Sequence, residues 1–394
     1  MSLVAKMLDP EVQAEYHAHY MKRADPQREK TAAFDAFMKS GDMTPMAQSL
    51  IDGTLEIAVP QQIILRGTDR ECYVYQREQS FLLGFLAYVL KEVTDKSPGV
   101  YSGGRGGVHG FIRSHMLARK TPGSVVVRTD IRKFTKSIRR DVLTEVQRHL
   151  FADDPETLAV LERLLSRGEY TVDGETFTTE RNIFMGTPLD SYVMNSVFVD
   201  ADRMMSERCL DYARFYDDIA MVVPSREEGE QILDDFRREV ARLKLELHPK
   251  KTFMVEGDEP YELLGLVIAG KEVGLSDKMM AGFIGPVRQQ CKAAVKMVRR
   301  GKVPGNLALA QAVREINAFM DTPRLKKMYE PFLDCITRVD DLRRFDRMVQ
   351  DWLRAVATGT TSNAKYRVTY DDLKAAGYRS TVALYYKRHP ERRA

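Results

Sequence analysis

Two adjacent acids, Asp217 and Asp218, stand in Ala213-Arg214-Phe215-Tyr216-Asp217-Asp218-Ile219-Ala220-Met221-Val222-Val223, with apolar, β-prone residues on both sides. Burying one unpaired carboxylate is costly and two side by side repel, so such a pair persists only where a cation balances it. The pattern predicts a β-hairpin, Leu210 to Phe215 running in and Ile219 to Val223 running out, with the acids at the tight turn. Hard divalent ions such as Mg2+ take carboxylate oxygens plus substrate phosphates, so a third carboxylate is expected from elsewhere. An isolated Asp-Asp more often marks a polar surface turn, and the chain supplies its own control. Tyr370-Asp371-Asp372 repeats three letters, but Leu373 to Gly377 follows as a helix that starts at an Asp cap and ends at a Gly, with no apolar strand. No metal site is expected there.

The third acid is sought at the end of another buried strand. Ser124 to Arg128 is Val-rich, and Thr129-Asp130-Ile131-Arg132-Lys133-Phe134 follows it, ahead of a helix from Arg140 to Leu150. Alone, Asp130 reads equally as an N-cap; its pairing with Asp217-Asp218 gives it a metal-binding reading. Between them lie a polar hairpin, Glu169 to Phe177, with Asp173-Gly174 as turn, and Ile183 to Asn195, running into a helix that reaches Arg203.

Upstream, the β-prone runs Ile57-Ala58-Val59, Ile63-Ile64-Leu65 and Cys72-Tyr73-Val74-Tyr75 flank the turn Arg66 to Asp69, and a helix follows from Glu78 to Val93. Arg66, Arg70 and Arg77 sit where they could reach a triphosphate, or serve as surface charges. Tyr101 to Gly107 places four glycines around Arg105; it fits neither a P-loop nor a dinucleotide fingerprint, and reads as a flexible or a template-contacting loop.

Composition sets the frame for these sites. The 394 residues, 44% hydrophobic and 29% charged, describe an ordinary globular chain large enough for two or three subdomains. Sixty basic against 56 acidic residues do not by themselves identify a nucleic-acid binder. The four cysteines, Cys72, Cys209, Cys291 and Cys335, lie far apart with no zinc-module spacing, so a reducing compartment is expected. No run is long and apolar enough to span a membrane and no signal-peptide core is seen, so a cytoplasmic protein without membrane contact is expected.

The order of motifs resembles the reverse-transcriptase palm, above all the bacterial branch related to group II introns and retrons, with a character closest to defence-associated (abortive-infection or unknown-group) reverse transcriptases. Asp130 to Phe134 is similar to that family's Asp-Ile-x-x-Phe-Phe block. Phe184 to Asp190, with Asn195 and Asp202, is similar to its Pro-Gln-Gly-x-Pro-Leu-Ser…Asn…Asp block, and Arg214 to Asp218 to its Arg-Tyr-x-Asp-Asp turn. Leu245 to Thr252 resembles Leu-x-Leu-x-x-x-Lys-Thr, and Glu262 to Leu266 the primer-grip hairpin. The resemblance covers roughly residues 56 to 275. Departures are Phe184, Met185 and Asp190 in the second block, Thr135 for the second aromatic of the first, and Phe215 for Tyr.

The resemblance implies an α+β right-hand polymerase: an N-terminal helical extension (1–55), fingers (56–123), a palm of antiparallel sheet with helices on one face (124–275), a helical thumb (276–350) and a basic, aromatic C-terminal extension (351–394). It implies RNA-directed DNA synthesis with two Mg2+, or Mn2+ in their place. Asp130, the Ile131 carbonyl and Asp217 would hold metal, Asp218 would support them, and Lys251, or its neighbour Lys250, would meet the triphosphate. Arg66, Arg70, Phe134, Thr135, Met185 and Gly186 would surround the dNTP, and Leu264 and Gly265 would form the primer grip. Arg105 and the acid-free stretch Lys278 to Arg314, with Arg288, Lys292, Lys296 and Arg299 or Arg300 on one helix face, would follow nucleic acid. The C-terminal residues Tyr378, Tyr385, Tyr386, Lys387 and Arg388 either bind structured RNA or pack onto the thumb. Expected partners are a noncoding RNA template, the DNA product, dNTPs and a second polymerase or effector subunit, in antiphage defence. Two rivals remain: a template-independent or protein-primed nucleotide polymerase, suggested by Thr135 and Met185, and a noncatalytic RNA-binding scaffold.

Overall fold

The computed structural model describes residues 2–23, 29–65, 70–102, 106–181, 184–321 and 332–392. Strands form where β-branched and aromatic residues cluster. In chain order they are β1 (Gln61–Ile64), β2 (Glu71–Val74), β3 (Val125–Asp130), β4 (Glu169–Val172), β5 (Glu175–Thr178), β6 (Asp211–Phe215), β7 (Asp218–Val223), β8 (Phe253–Glu256), β9 (Tyr261–Leu263), β10 (Leu266–Ala269) and β11 (Glu272–Leu275). The chain divides into two compact units, Met1–Met254 and Val255–Ala394.

The central sheet of the first unit has the order β6-β7-β3-β8. All six residues of β3 are buried, which is why its valines run without polar alternation. Val125, Val127, Ile219, Met221 and Val223 enter the main core. Helix Arg226–Arg242, capped by Ser225, turns Ile232, Leu233, Phe236 and Val240 inward. A Cβ on its Gly229 would lie 3.2 Å from Val127 and 3.3 Å from Val223, so helix and sheet are close at that point. The predicted helix Arg140–Leu150 is present. The helix expected to reach Arg203 is instead two, Asp190–Ser196 and Val199–Arg208, broken at Phe198.

A second sheet, β2-β1-β4-β5, joins the antiparallel hairpin β1–β2 to the hairpin β4–β5 through one parallel register, Gln61 opposite Thr171. The turn between β4 and β5 has positive φ at both Asp173 (50°) and Gly174 (88°), as a two-residue hairpin requires. The expected strand at Ile57-Ala58-Val59 is not one. Its backbone is satisfied by side chains: Gln79 accepts from the Ala58 N–H and donates to the Glu56 carbonyl, each at 3.0 Å, and Arg167 donates to the Ile57 carbonyl. The N-terminal helices Pro10–Arg23 and Glu29–Ser40 pack on helix Arg77–Thr94 through Tyr16 on Phe85 (4.8 Å between rings) and Phe34 on Phe81 (5.1 Å).

The second unit holds the sheet β11-β10-β9 and helices Asp277–Arg299, Gly305–Asp321 and Val339–Thr358. Met280, Ile284, Val287, Cys291 and Val295 form the buried stripe of the first helix, leaving Arg288, Lys292 and Lys296 exposed together. Two of the C-terminal tyrosines pack in the second unit, while Tyr386 is half-buried and Tyr366 and Tyr370 are exposed. Tyr378 is buried and donates to Asp346, and Tyr385 is buried and donates to the Ile336 carbonyl. Asp346 also accepts from the N–H of Thr381, at the start of helix Thr381–Arg388. The control copy of Asp-Asp does begin a helix, Tyr370–Ala375, but the cap is Thr369, in a capping box with Asp372, rather than an Asp. Among the described residues, no helix is long and apolar enough to cross a membrane.

Candidate active site

Antiparallel pairing of β3 with β7 runs from Val125 opposite Val223 to Asp130 opposite Asp218. Directly opposed residues in such a pair project to the same side, so the ladder itself brings these two acids together. Asp217 sits in the turn between β6 and β7, and its carbonyl accepts the Ile131 N–H at 3.3 Å. That turn needs a left-handed residue, and Tyr216 supplies it at φ 56°.

Two cations face the acids. Arg128, two residues before Asp130 and almost fully buried, pairs with Asp218. Lys251 Nζ lies 2.7 Å from Asp130 Oδ2. The lysine is delivered by the short helical turn Pro249–Lys251, docked on the end of β3: the His248 N–H donates to the Asp130 carbonyl (2.7 Å), and the Thr129 and Thr252 hydroxyls are 2.8 Å apart. Lys250 is exposed. Asp217 has no ion pair among the described residues. Burial, then the charges of Asp218 and Asp130, push its carboxyl up to about 6. Burial also raises Asp218, opposed by Arg128. The cluster is therefore short of positive charge.

The turn is held from beneath by a buried network. Arg214 Nε and Nη2 each donate at 2.7 Å to Asp202, and both side chains are 0% exposed. Tyr212 (2.7 Å) and Ser97 (3.1 Å) also donate to Asp202. Arg214 Nη1 reaches the Asn195 carbonyl oxygen (3.2 Å) and the Tyr216 carbonyl (3.1 Å), and Ser102 donates to the same Asn195 oxygen. Sequence reasoning placed Asn195, Asp202 and Arg214 in motifs without roles. The signal was there: an arginine inside an apolar strand demands a buried partner.

The other expected residues are placed as follows. Phe134 is 2% exposed and packs in the core with its ring 5.4 Å from that of Phe198, while Thr135 is half-buried. Met185 is half-buried and its carbonyl accepts the Tyr73 N–H at 2.8 Å; Gly186 is exposed at φ 93°. Asp190 accepts the Gly186 N–H at 2.9 Å, so the residue that departs from Ser locks this turn. Arg70 is exposed, and its carbonyl accepts the Leu65 N–H across the β1–β2 hairpin. Arg66 and Arg105 lie outside the described residues. In the second unit, Leu264 (φ 52°) and Gly265 (φ 79°) make the tight turn between β9 and β10; Arg300 follows helix Asp277–Arg299 as its C-cap.

A family profile described as "Reverse transcriptase (RNA-dependent DNA polymerase)" matches residues 74–268, which include all three acids and Lys251. The chain carries a reverse transcriptase domain. That domain is the one of RNA-directed DNA polymerases, a class of nucleotidyltransferase. Among solved structures, the chain is similar to apo telomerase from Candida tropicalis truncated from its C-terminal domain, at 14% identity over 55% of this chain and 54% of that one (TM-score 0.42). Apo telomerase from the same organism aligns at 11% identity over 81% of this chain and 64% of that one (TM-score 0.43). The RNA polymerase complex inside a dsRNA virus aligns at 9% identity over 90% and 32% (TM-score 0.50). This chain spans about half the length of the first of these structures. No curated protein matches it. The fold is α+β, of the right-hand polymerase class.

Proposed function

We propose that the chain extends DNA on an RNA template, with Asp130, Asp217, Asp218 and Lys251 as its reacting centre. The observation that carries this is the β3–β7 register, which sets Asp130 opposite Asp218, beside Asp217 and under Lys251, inside a reverse transcriptase domain. A scaffold has no use for three convergent acids, where burial and then the neighbouring charges push one carboxyl up to about 6.

We read Asp130 and Asp217 as carboxylates suited to Mg2+. Among the described residues, no group of three or more His, Cys, Asp or Glu side chains forms a ready metal cage. Mg2+ suits such a site, because it is held by one or two carboxylates plus substrate phosphates and water. Asp130 and Asp217 are the carboxylates that would hold it, with the Ile131 carbonyl beside them. Two such ions, if bound, would supply charge for the attacking 3′-oxygen and the leaving pyrophosphate. Asp218, fixed by Arg128, adds negative potential without leaving its partner. Lys251 brings a cation to the triphosphate. Thr135, Met185 and Gly186 would shape the nucleotide site, Leu264 and Gly265 the primer grip, and Arg288, Lys292 and Lys296 a phosphate-tracking face.

The finer reading is a bacterial, defence-associated enzyme in the cytoplasm with a dedicated noncoding RNA, supported by the departures at Phe184, Met185 and Asp190. The test is to purify the chain, sequence the nucleic acid that accompanies it, and assay dNTP incorporation with Mg2+ beside Asp217→Asn. A defined RNA and mutant-sensitive DNA synthesis are expected. Synthesis that survives RNase would favour template-independent or protein-primed polymerisation, and none from the wild type would favour the scaffold.

A further inference from the structure

We infer that Lys251 is a displaceable counter-ion: it holds the Asp130 carboxylate until a divalent ion takes over that oxygen, and it is then released to the nucleotide triphosphate. This rests on the metal-centre reading above.

The two cations at the acid cluster are built differently. The Arg128 side chain is 6% exposed, and its guanidinium donates to the Thr129 and Ile219 carbonyls as well as to Asp218. Withdrawing it would break these further hydrogen bonds and leave a buried charge unpaired, which is strongly unfavourable. Lys251 reaches its acid from the solvent side: its side chain is 52% exposed, against 4% for Asp130, and it rides on a three-residue turn. Swinging it into water costs little, because an ammonium on a flexible stem is well hydrated and keeps its rotamer freedom.

Asp130 has no such freedom. Its carboxylate is nearly enclosed, so a cation must always sit on it. A divalent ion ligated there meets the oxygen that Lys251 contacts at 2.7 Å. An ammonium and a divalent ion on one carboxylate repel strongly where water is scarce, so binding is an exchange rather than an addition. The exchange also decides which acids are handed over. Asp130 gives up a mobile partner, Asp217 has none among the described residues, and Asp218 keeps a fixed one. The freed Lys251 ammonium then lies beside the place where an anionic triphosphate must approach. Metal and nucleotide each remove a competitor of the other, so their binding is positively coupled, and the coupling is reciprocal.

The probe is Mn2+ alone, titrated into the full chain without nucleotide and read by electron paramagnetic resonance. Asp130→Asn is expected to weaken Mn2+ by about tenfold or more. Lys251→Met and Lys251→Gln are expected to tighten it by about fivefold, the reverse of what loss of a supporting residue would do. Both leave the 4% exposed Asp130 carboxylate without its partner until metal binds, so circular dichroism checks their folding, and if either fails to fold the test falls to the wild-type readout that follows. A second readout follows Lys251 itself: acetylation of its amine, quantified by mass spectrometry, rises when Mg2+ is added to the wild type and is already high in Asp130→Asn. Unchanged or weaker Mn2+ binding in both Lys251 variants, with Asp130→Asn impaired, overturns the inference and leaves the metal reading standing. Unchanged Mn2+ binding in Asp130→Asn removes the metal reading, and the inference with it.

Discussion

Asp202→Ala tests how the turn that carries Asp217 is supported. In the wild type, Asp202 receives two 2.7 Å bonds from Arg214, and both side chains are 0% exposed. Truncation leaves the guanidinium charge buried, and it also orphans the hydroxyls of Tyr212 and Ser97. Removing one partner of a buried pair costs about 3–5 kcal/mol, because the remaining charge has no solvent to turn to. For a unit of this size, ~1 kcal/mol moves Tm by about 2–4 °C, so a fall on the order of 10 °C is expected. The control is Arg132→Ala, which breaks the Arg132–Glu246 pair, 54% and 73% exposed. That pair is worth less than about 1 kcal/mol. Calorimetry of both variants in the same buffer makes the comparison. The milder Asp202→Asn adds a second readout: Arg214 also holds the Tyr216 carbonyl, so DNA synthesis should drop at temperatures where the protein is still folded. If Asp202→Ala lowers Tm no more than Arg132→Ala, the buried pair does not support the turn and the reasoning is refuted.

Further outcomes follow from the same geometry. The Asp217 carboxyl, pushed up to about 6, is held above its unfolded value, so its contribution to stability is complete below about pH 4 and is lost as the pH rises through 6. With chelator present, Asp217→Asn should therefore stabilise the protein at pH 7.5 by on the order of 1 kcal/mol, and the gain should vanish at pH 4; urea midpoints at both values check it. Gly99→Ala should cost more than about 3 kcal/mol, because the new Cβ would lie 2.2 Å from the Tyr212 carbonyl and Gly99 stands at φ 72°. Circular dichroism melts would show the shift, and a neutral result would contradict the packing of that loop on β6. Lys292→Gln with Lys296→Gln should reduce the salt dependence of nucleic-acid binding by a log–log slope of about 2, measured as affinity against KCl concentration. An unchanged slope would remove that helix face from the interface.

Local chemistry made much of this legible before any coordinates. Asp173-Gly174 specifies its turn because both positions need positive φ, and helix Arg140–Leu150 follows from its own periodicity. The hairpin carrying Asp217 and Asp218 was visible because two strands of apolar residues leave the acids nowhere else to go. What stayed hidden was non-local. Nothing near Ile57 says that Gln79 and Arg167 will take its backbone hydrogen bonds, so a β-prone run reads as a strand there. Phe134 resembles a site residue by motif, and only the position of Phe198 shows it to be core. Arg128 stands beside Asp130 with no role legible in the sequence, since its partner lies 90 residues away across a strand pair.

The departures from the family pattern do not all carry the same weight once they are placed. Asp190, where the family has Ser, accepts the Gly186 N–H and so fixes the turn that ends at the helix Asp190–Ser196; a carboxylate in the first turn of a helix is also favoured by the exposed N–H groups there. Phe184 packs near Tyr73, with ring centroids 4.6 Å apart, and Arg140 lies over its face, so this change packs against the sheet β2-β1-β4-β5. Both side chains are engaged in local packing and hydrogen bonding. Thr135 and Met185 are different, because each is half-buried with surface left to offer. If the nucleotide site lies where the resemblance implies, Thr135→Phe should change the preference for dNTP over NTP and Met185→Gln should change template use, each measured by nucleotide competition; no change in either variant would remove these two side chains from the site.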